Sequence, residues 1–240
     1  MRIAFLSDIH GNAIALEAVL QDIERKKVDR IIVLGDLAYR GPEPAKCIQW
    51  IRSLQTDVIK GNADQWIVRG VRSGEVPDQA LATMQTEQAW ARDQLSEEEI
   101  SYLDNLPTEL SLSVENIKIH AFHATPNSLF DVITPDGSDH DLLESLTLNE
   151  EADLYLYGHI HRSYQRTIAG KTIVNLGSVG LPFDGIPKAS YVLLDIENNQ
   201  LNVQQIRVSY PIETVCKQYE DVHYPNATFM QKIIQTAQNG

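Results

Sequence analysis

Five short clusters of Asp, Asn and His punctuate the chain, each directly after an apolar, β-type stretch: Asp8-Ile9-His10, Gly35-Asp36, Gly61-Asn62, His123 and Gly158-His159-Ile160-His161. Carboxylate, imidazole and amide oxygen form a donor set suited to Mn, Fe, Zn, Ni or Co, and with no thiolate nearby a soft-metal or structural zinc site is disfavoured. A hydrophobic strand ending on an unpaired carboxylate or imidazole beside a core costs on the order of several kcal/mol unless a cation or hydrogen bonds compensate. Each cluster alone has a bland reading: Asp-x-His as a surface or capping pair, Gly-Asp as a turn, a strand-end His as a satisfied core residue. Their ordered recurrence at strand ends, where open α/β sheets gather ligands, is what points to metal. Asp36 is the candidate to bridge two cations with its two oxygens, because Gly35 before it permits a tight backbone approach. In Asp8-Ile9-His10 and His159-Ile160-His161 an alternation period of two would put the polar pair on one side and Ile on the other.

The elements that must position these residues read as follows. Arg2–Ser7 is a buried strand, and Asn12 opens an amphipathic helix to about Lys27 with Ile14, Val19, Leu20 and Ile23 apolar. Arg30–Leu34 is a second strand; Gly41-Pro42-Glu43-Pro44 is a turn launching a helix with Ile48, Ile51 and Leu54; Val58–Lys60 is a short third strand. This β-α-β-α-β opening implies parallel strands with right-handed crossovers. Residues 64–105 read as helical, with Ser96 and Glu99 at capping-box spacing. Leu110–Val114 and Ile117–Phe122 flank Glu115-Asn116 as a hairpin, and 141–148 reads as helix. Leu154–Tyr157 and Thr172–Asn175 are strands; Tyr191–Glu197 and Leu201–Val208 pair around Asn198-Asn199-Gln200. A parallel βα half is thus followed by a half richer in antiparallel pairs. Two packed sheets with helices outside satisfy both. The last 30 residues read as a weakly periodic helix with a frayed end.

Bulk properties bound the rest. A chain of 240 residues can bury a sizeable core without disulfides, and 43% apolar with 22% charged residues is an ordinary globular balance. No apolar run approaches a membrane span, and Ile3–Leu6 is too short for a signal-peptide core, so a mature start is expected. Cys47 and Cys216 are isolated, which makes a reducing cytoplasm the simplest expected location; the sequon at Asn226-Ala227-Thr228 is treated as a chance match. A net charge of −13 argues against duplex nucleic acid as a partner, and no membrane partner is expected. Bound cations would reverse the local field, so a small phosphorylated substrate stays compatible.

The ordered set Asp8-x-His10, Gly35-Asp36, Gly61-Asn62-x-Asp64, His123-Ala-Thr-Pro126 and Gly158-His159-x-His161 resembles the calcineurin-like metallophosphoesterase superfamily, in its bacterial and archaeal single-domain branch. The likeness extends through Ser7-Asp8-Ile9-His10-Gly11-Asn12, Leu103-Asp-Asn-Leu-Pro107 and Asn175-Leu-Gly177-Ser178-Val-Gly180, covering residues 1 to about 195. It implies an α/β fold, a four-layer αββα sandwich of two mixed sheets (the metallo-dependent phosphatase fold). The whole of 1–240 would be one domain, with a helical insertion at about 64–106 and a C-terminal extension at about 209–240. It also implies two divalent cations, Mn²⁺ foremost: one on Asp8, His10, Asp36 and His161, the other on Asp36, Asn62, His123 and His159. The implied activity is hydrolysis of a phosphodiester, phosphomonoester or dinucleoside polyphosphate by an activated water, an ester-bond or acid-anhydride hydrolase. The other reading is a non-catalytic, metal-binding interaction scaffold on the same fold. Asp36, Asn62, Arg40 and Asp64 are the candidate catalytic residues, and Arg40, Asn12 and Tyr39 the candidate substrate contacts.

The sequence departs from the family pattern at two places. The family stretch reads Gly-Asn-His-Asp or Gly-Asn-His-Glu, and its His is held to protonate the leaving group; here that place is Ala63. Gly35-Asp36-Leu37-Ala38-Tyr39-Arg40-Gly41 resembles the Gly-Asp-x-Val-Asp-Arg-Gly stretch of protein Ser/Thr phosphatases, whose second Asp orients that His; here it is Tyr39. Arg40 remains, and a guanidinium beside the metals could grip a phosphate bidentately. General-acid help is typically worth about 10²–10⁴-fold. Its loss implies a good leaving group, a proton from Asp64, Tyr39 or His120, or a chain that has given up chemistry. His140 and His223 sit in polar stretches, Trp66 and Trp90 are expected to pack in the insertion, and Phe183 and Asp184 are candidates for a pocket wall.

Overall fold

The computed structural model describes residues 1–148 and 151–238. The chain runs β1 (Arg2–Leu6), α1 (Ala13–Arg25), β2 (Arg30–Val33), α2 (Pro44–Ser53), β3 (Asp57–Val58), α3 (Asn62–Arg69), α4 (Asp78–Asp93) and α5 (Glu97–Asp104). It continues through β4 (Glu109–Val114), β5 (Ile117–Phe122), α6 (Asp139–Leu146), β6 (Leu154–Tyr157), β7 (Tyr164–Ile168), β8 (Lys171–Asn175), β9 (Ala189–Glu197), β10 (Gln200–Val208), α7 (Ile212–Asp221) and α8 (Ala227–Thr236). Local chemistry sets several boundaries. Asn12 caps α1 by accepting from the Ala15 amide at 3.0 Å. Pro44 starts α2, where its missing N–H is no loss. The expected box at α5 is present, with Glu99 Oε2 accepting from Ser96 N at 2.8 Å and Ser96 Oγ accepting from Glu99 N at 3.3 Å.

The strands form two five-stranded mixed sheets, in the orders β10-β9-β1-β2-β3 and β4-β5-β6-β8-β7. In the first, β1 pairs parallel with β2 and antiparallel with β9. In the second, β5, β6 and β8 run parallel, while β4 and β7 close the edges antiparallel. Strand alternation sorts the side chains between layers. Ile3 and Phe5 of β1 meet Leu154 and Leu156 of β6 in the core between the sheets. Ala4 and Leu6 turn outward to a second core beneath α1–α5, α7 and α8. Tyr155 and Tyr157 turn the other way, against Leu142 and Leu146 of α6. The result is the expected four-layer αββα sandwich. Strands covered on both faces need continuous apolar runs, as β1 and β6 have.

Three details differ from the sequence reading. β3 is only Asp57–Val58, and the backbone beyond it is held from both sides, Ile59 N donating to Val33 O at 2.9 Å and Lys60 N to Pro107 O at 2.6 Å. β7 was not expected; it is an edge strand with exposed Gln165 and Thr167, so it lacks the apolar density of its neighbours. The last residues form two helices instead of one frayed helix, and Val215, Tyr219, Met230, Ile233 and Ile234 are buried in the outer core. Trp66 and Trp90 pack as expected, against Tyr39 at 5.7 Å and Tyr224 at 4.8 Å between ring centroids. Among the described residues no helix is long and apolar enough to cross a membrane. Ile233→Ala is expected to destabilise the chain by about 2–5 kcal/mol in urea denaturation, the cost of a cavity in a collapsed core. A cost below 0.5 kcal/mol would mean that α8 is peripheral.

Candidate metal centre

β1, β2, β3, β5 and β6 deliver all seven candidate ligands to one end of the sandwich. The loops that carry them extend the strand pairing past the strand ends. Asp8 N donates to Gly35 O at 3.1 Å, His10 N to Asp36 O at 2.9 Å, and Gly158 N to His123 O at 2.9 Å. The expected strand alternation is not how the side chains converge. β1 ends at Leu6, and Asp8, His10, Asp36, His159 and His161 all take left-handed backbone, with φ of 57°, 49°, 57°, 67° and 56°. Such φ values are uncommon for residues with a Cβ and persist only where the surroundings over-determine them. Gly35 allows the closest approach: a Cβ on it would sit 2.3 Å from Gly61 N.

The donor atoms of Asp8, His10, Asp36 and His161 all lie within 4.8 Å of one another. Three imidazoles are oriented by backbone carbonyls: His10 Nδ1 to Tyr39 O at 2.8 Å, His123 Nδ1 to Leu34 O at 2.6 Å and His161 Nδ1 to Leu181 O at 2.6 Å. A carbonyl only accepts, so each Nδ1 carries a hydrogen and each Nε2 is turned inward. His10 Nε2 then faces His161 Nε2 at 3.1 Å, and His123 Nε2 faces Asn62 Oδ1 at 2.9 Å. His159 Nδ1 lies 2.8 Å from the same Asn62 oxygen. Asp8 Oδ1 and His159 Nε2 are buried with no hydrogen-bond partner. The facing His10 and His161 nitrogens and the two unpartnered buried atoms are costly unless a cation lies among them, so this donor set fits metal.

The electrostatics agree. Burial, helped by the neighbouring His161, pushes His10 down to about 4, which leaves its ring neutral and ready to donate electrons. Burial and His123 likewise push His159 down to about 4. At His123 burial also penalises charge, but Asp36 and Asp8 outweigh it and push the ring up to about 10, so the field there favours positive charge. Asp36 is positioned differently from the two-oxygen bridge expected of it. Its Oδ1 accepts from Ala63 N at 2.8 Å, while Oδ2 alone sits between the halves, 3.5 Å from His10 Nε2 and 3.4 Å from His123 Nε2.

The other candidates fall outside this cluster. Asp64 accepts from the amides of Asp36, Gly61 and Leu37 at 2.8, 2.9 and 2.9 Å, so its carboxyl ties the Asp36 loop to the Asn62 loop instead of facing the ligands. Burial and then Asp36 push it up to about 7 against those amides. Tyr39 is fully buried, its hydroxyl donating to Met84 O at 2.9 Å, which removes it from the substrate contacts. Asn12 is consumed by its cap and by Gly180 O, which its Nδ2 reaches at 3.1 Å. Arg40 pairs with the buried Glu87 of α4 at 3.0 Å, with no cluster carboxylate as its ion-pair partner. His120 bonds Glu109 at 2.9 Å and packs on Phe122, as a hairpin histidine would.

Two braces escaped the sequence reading. Ser178 Oγ donates to Asp8 O at 2.7 Å, and Asn175 Nδ2 donates to Gly158 O, so the loop after β8 locks two ligand loops. The amides of Val179 and Gly180 donate to Ser7 O and Asp8 O, each at 3.0 Å, and add to the same brace. Phe183 stacks on His161 at 4.3 Å between centroids, and with Asp184 it lines a cleft opening on His159.

Residues 1–199 match the family model described as "Calcineurin-like phosphoesterase superfamily domain". The chain belongs to the calcineurin-like phosphoesterase superfamily. It is a hydrolase acting on ester bonds, with a buried Asp/His cluster suited to divalent metal. It is 30% identical to the uncharacterized protein MJ0912 of Methanocaldococcus jannaschii over 92% of this chain and 91% of that one. It is 26% identical to the phosphodiesterase YfcE of Escherichia coli over 85% and 91%. The structure matches a metallophosphoesterase from Sphaerobacter thermophilus with a TM-score of 0.78 and 26% identity, covering 99% of each chain.

In this phosphoesterase, Asp64→Asn is expected to leave the fold intact and weaken metal affinity about 10–100-fold, the usual cost of losing a group that orients ligands. Its amide would turn an NH₂ toward backbone N–H groups. Chelator competition with Mn²⁺ measures it; an unchanged affinity would mean that the loop tie is dispensable.

Proposed function

We propose that this phosphoesterase hydrolyses small phosphate esters or phosphoanhydrides with two divalent cations, Mn²⁺ foremost. Asp8, His10, Asp36 and His161 would hold one, and Asp36, Asn62, His123 and His159 the other. The observation that carries the reading is the inward-facing set of nitrogen and oxygen atoms, with Asp36 Oδ2 between the two halves. When bound, such a pair supplies Lewis-acid stabilisation of phosphoryl charge and lowers the pKa of a water. The chain's own residues supply orientation. Tyr39, Leu34 and Leu181 carbonyls fix the imidazole tautomers, and Asp64 fixes the spacing of the Asp36 and Asn62 loops.

The structure favours one answer to the missing proton donor. Ala63 is fully buried and cannot protonate anything. The three residues that could stand in are engaged elsewhere: Asp64 by amides, the Tyr39 hydroxyl by Met84 O, and His120 by Glu109. A leaving group stable as an anion needs no such donor, which supports activated phosphodiesters, aryl phosphates and dinucleoside polyphosphates over simple alkyl esters.

Chelator-treated protein is expected to be inactive on bis-p-nitrophenyl phosphate, to recover with Mn²⁺, and to stay inactive as Asp36→Asn. Replacing p-nitrophenol by an alkyl alcohol should lower kcat/KM by at least about 10²–10⁴-fold, the factor a general acid would have supplied. A flat dependence on leaving-group pKa would mean that a donor is present after all. Absence of turnover on monoesters, diesters and dinucleoside polyphosphates alike would favour a scaffold role.

A further inference from the structure

The cleft beside the metal centre has a volume of about 860 Å³, within the range of small-molecule sites. It opens on His159, so a substrate reaching the cluster would lie in it. Its apolar lining is Ile160, the half-buried ring of Phe183, and Val132, which is 66% exposed, high for a large aliphatic side chain. The lining also includes Arg162, exposed, one residue beyond His161. Among the described residues its guanidinium has no hydrogen-bond or ion-pair partner.

The carboxylate in the same wall does not cancel it. Asp184 pairs with Arg207 and accepts from the Ile186 and Ser163 amides at 3.3 and 3.4 Å, so its charge already has partners. In a chain of net charge −13, a free guanidinium in this wall is a local reversal of sign. It fits an anionic group on the substrate beyond the one held at the metals. The ring of Phe183 in the same lining offers a flat apolar surface for a planar group.

We propose that Arg162 is a specificity-determining residue, and that this cleft takes phosphoesters bearing a planar ring and a second anionic group beyond the scissile phosphate, of the nucleoside polyphosphate class. The inference rests on the reading of the adjoining cluster as a phosphoesterase centre, and it selects among the substrates that reading allows.

The test compares wild type, Arg162→Ala and Arg162→Lys, each loaded with Mn²⁺. Turnover is measured on diadenosine tetraphosphate and on bis-p-nitrophenyl phosphate, which carries no second anionic group. Arg162→Ala should lower the ratio of the two kcat/KM values about tenfold, mainly through KM of the tetraphosphate, the effect of one charge-assisted contact partly screened by water. Arg162→Lys should restore part of it, and the difference should shrink in high salt. Calorimetric binding of a methylene-bridged diadenosine tetraphosphate separates the two readings. Arg162-dependent binding without turnover of any ester would sink the hydrolytic reading and leave the cleft assignment standing. Turnover with an unchanged ratio and unchanged binding would overturn the cleft assignment alone, as would a wild type that cleaves the diester and neither binds nor cleaves the tetraphosphate.

Discussion

Two carboxylates and four imidazoles do not share so small and dry a space without positive charge among them. Each buried donor at this sandwich end has been stripped of water, and the inward nitrogens of His10 and His161 face each other at 3.1 Å. The rest of the structure is arranged to hold that unfavourable geometry in place. Carbonyls lock the imidazole tautomers, glycines let loops touch, and Asp64 and Ser178 tie the ligand loops together. Five ligands sit on left-handed backbone, a local cost that the paired strands beneath them absorb.

A second set of contacts holds the face of the molecule opposite the second sheet. Glu87 is fully buried in α4 yet accepts from Arg40 at 3.0 Å and from Asn226 at 3.0 Å. Tyr219 of α7 donates to Arg40 O at 2.7 Å. The insertion, the loop after β2 and the C-terminal helices thus meet on one buried charge pair. Removing one partner of such a pair is more damaging than never having had it, because the remaining charge is left unsolvated. The amide of Asn226 is committed to this contact, which leaves its sequon without a free nitrogen.

The ligands were legible because each is a local event, a polar residue at the end of an apolar strand. The sandwich was legible for a related reason: β1 and β6 are buried on both faces and read as unbroken apolar runs. What stayed hidden depends on partners distant in sequence. Glu87 in isolation is one more acid in a polar helix; its meaning comes from Tyr39, 48 residues before it, and Asn226, 139 after. β7 escaped because an edge strand needs few apolar residues. The terminal helices were underrated because Val215, Tyr219, Met230 and Ile233 stand among polar neighbours. Asp8 and His10 do converge with the other candidate ligands, but turns and not strand alternation aim them.

The place of β1 has a consequence for how the protein is made. It sits in the middle of its sheet and is made well before its second neighbour, β9, with Arg2 bonded to Asp195 across 193 residues. While the intervening chain is being synthesised, one long side of β1 has no strand to pair with. An unpaired, apolar strand edge is a template for any passing strand, and closing so long a loop is slow. The nascent chain therefore carries an open edge on β1 until β9 has been made, and is relieved of it only then.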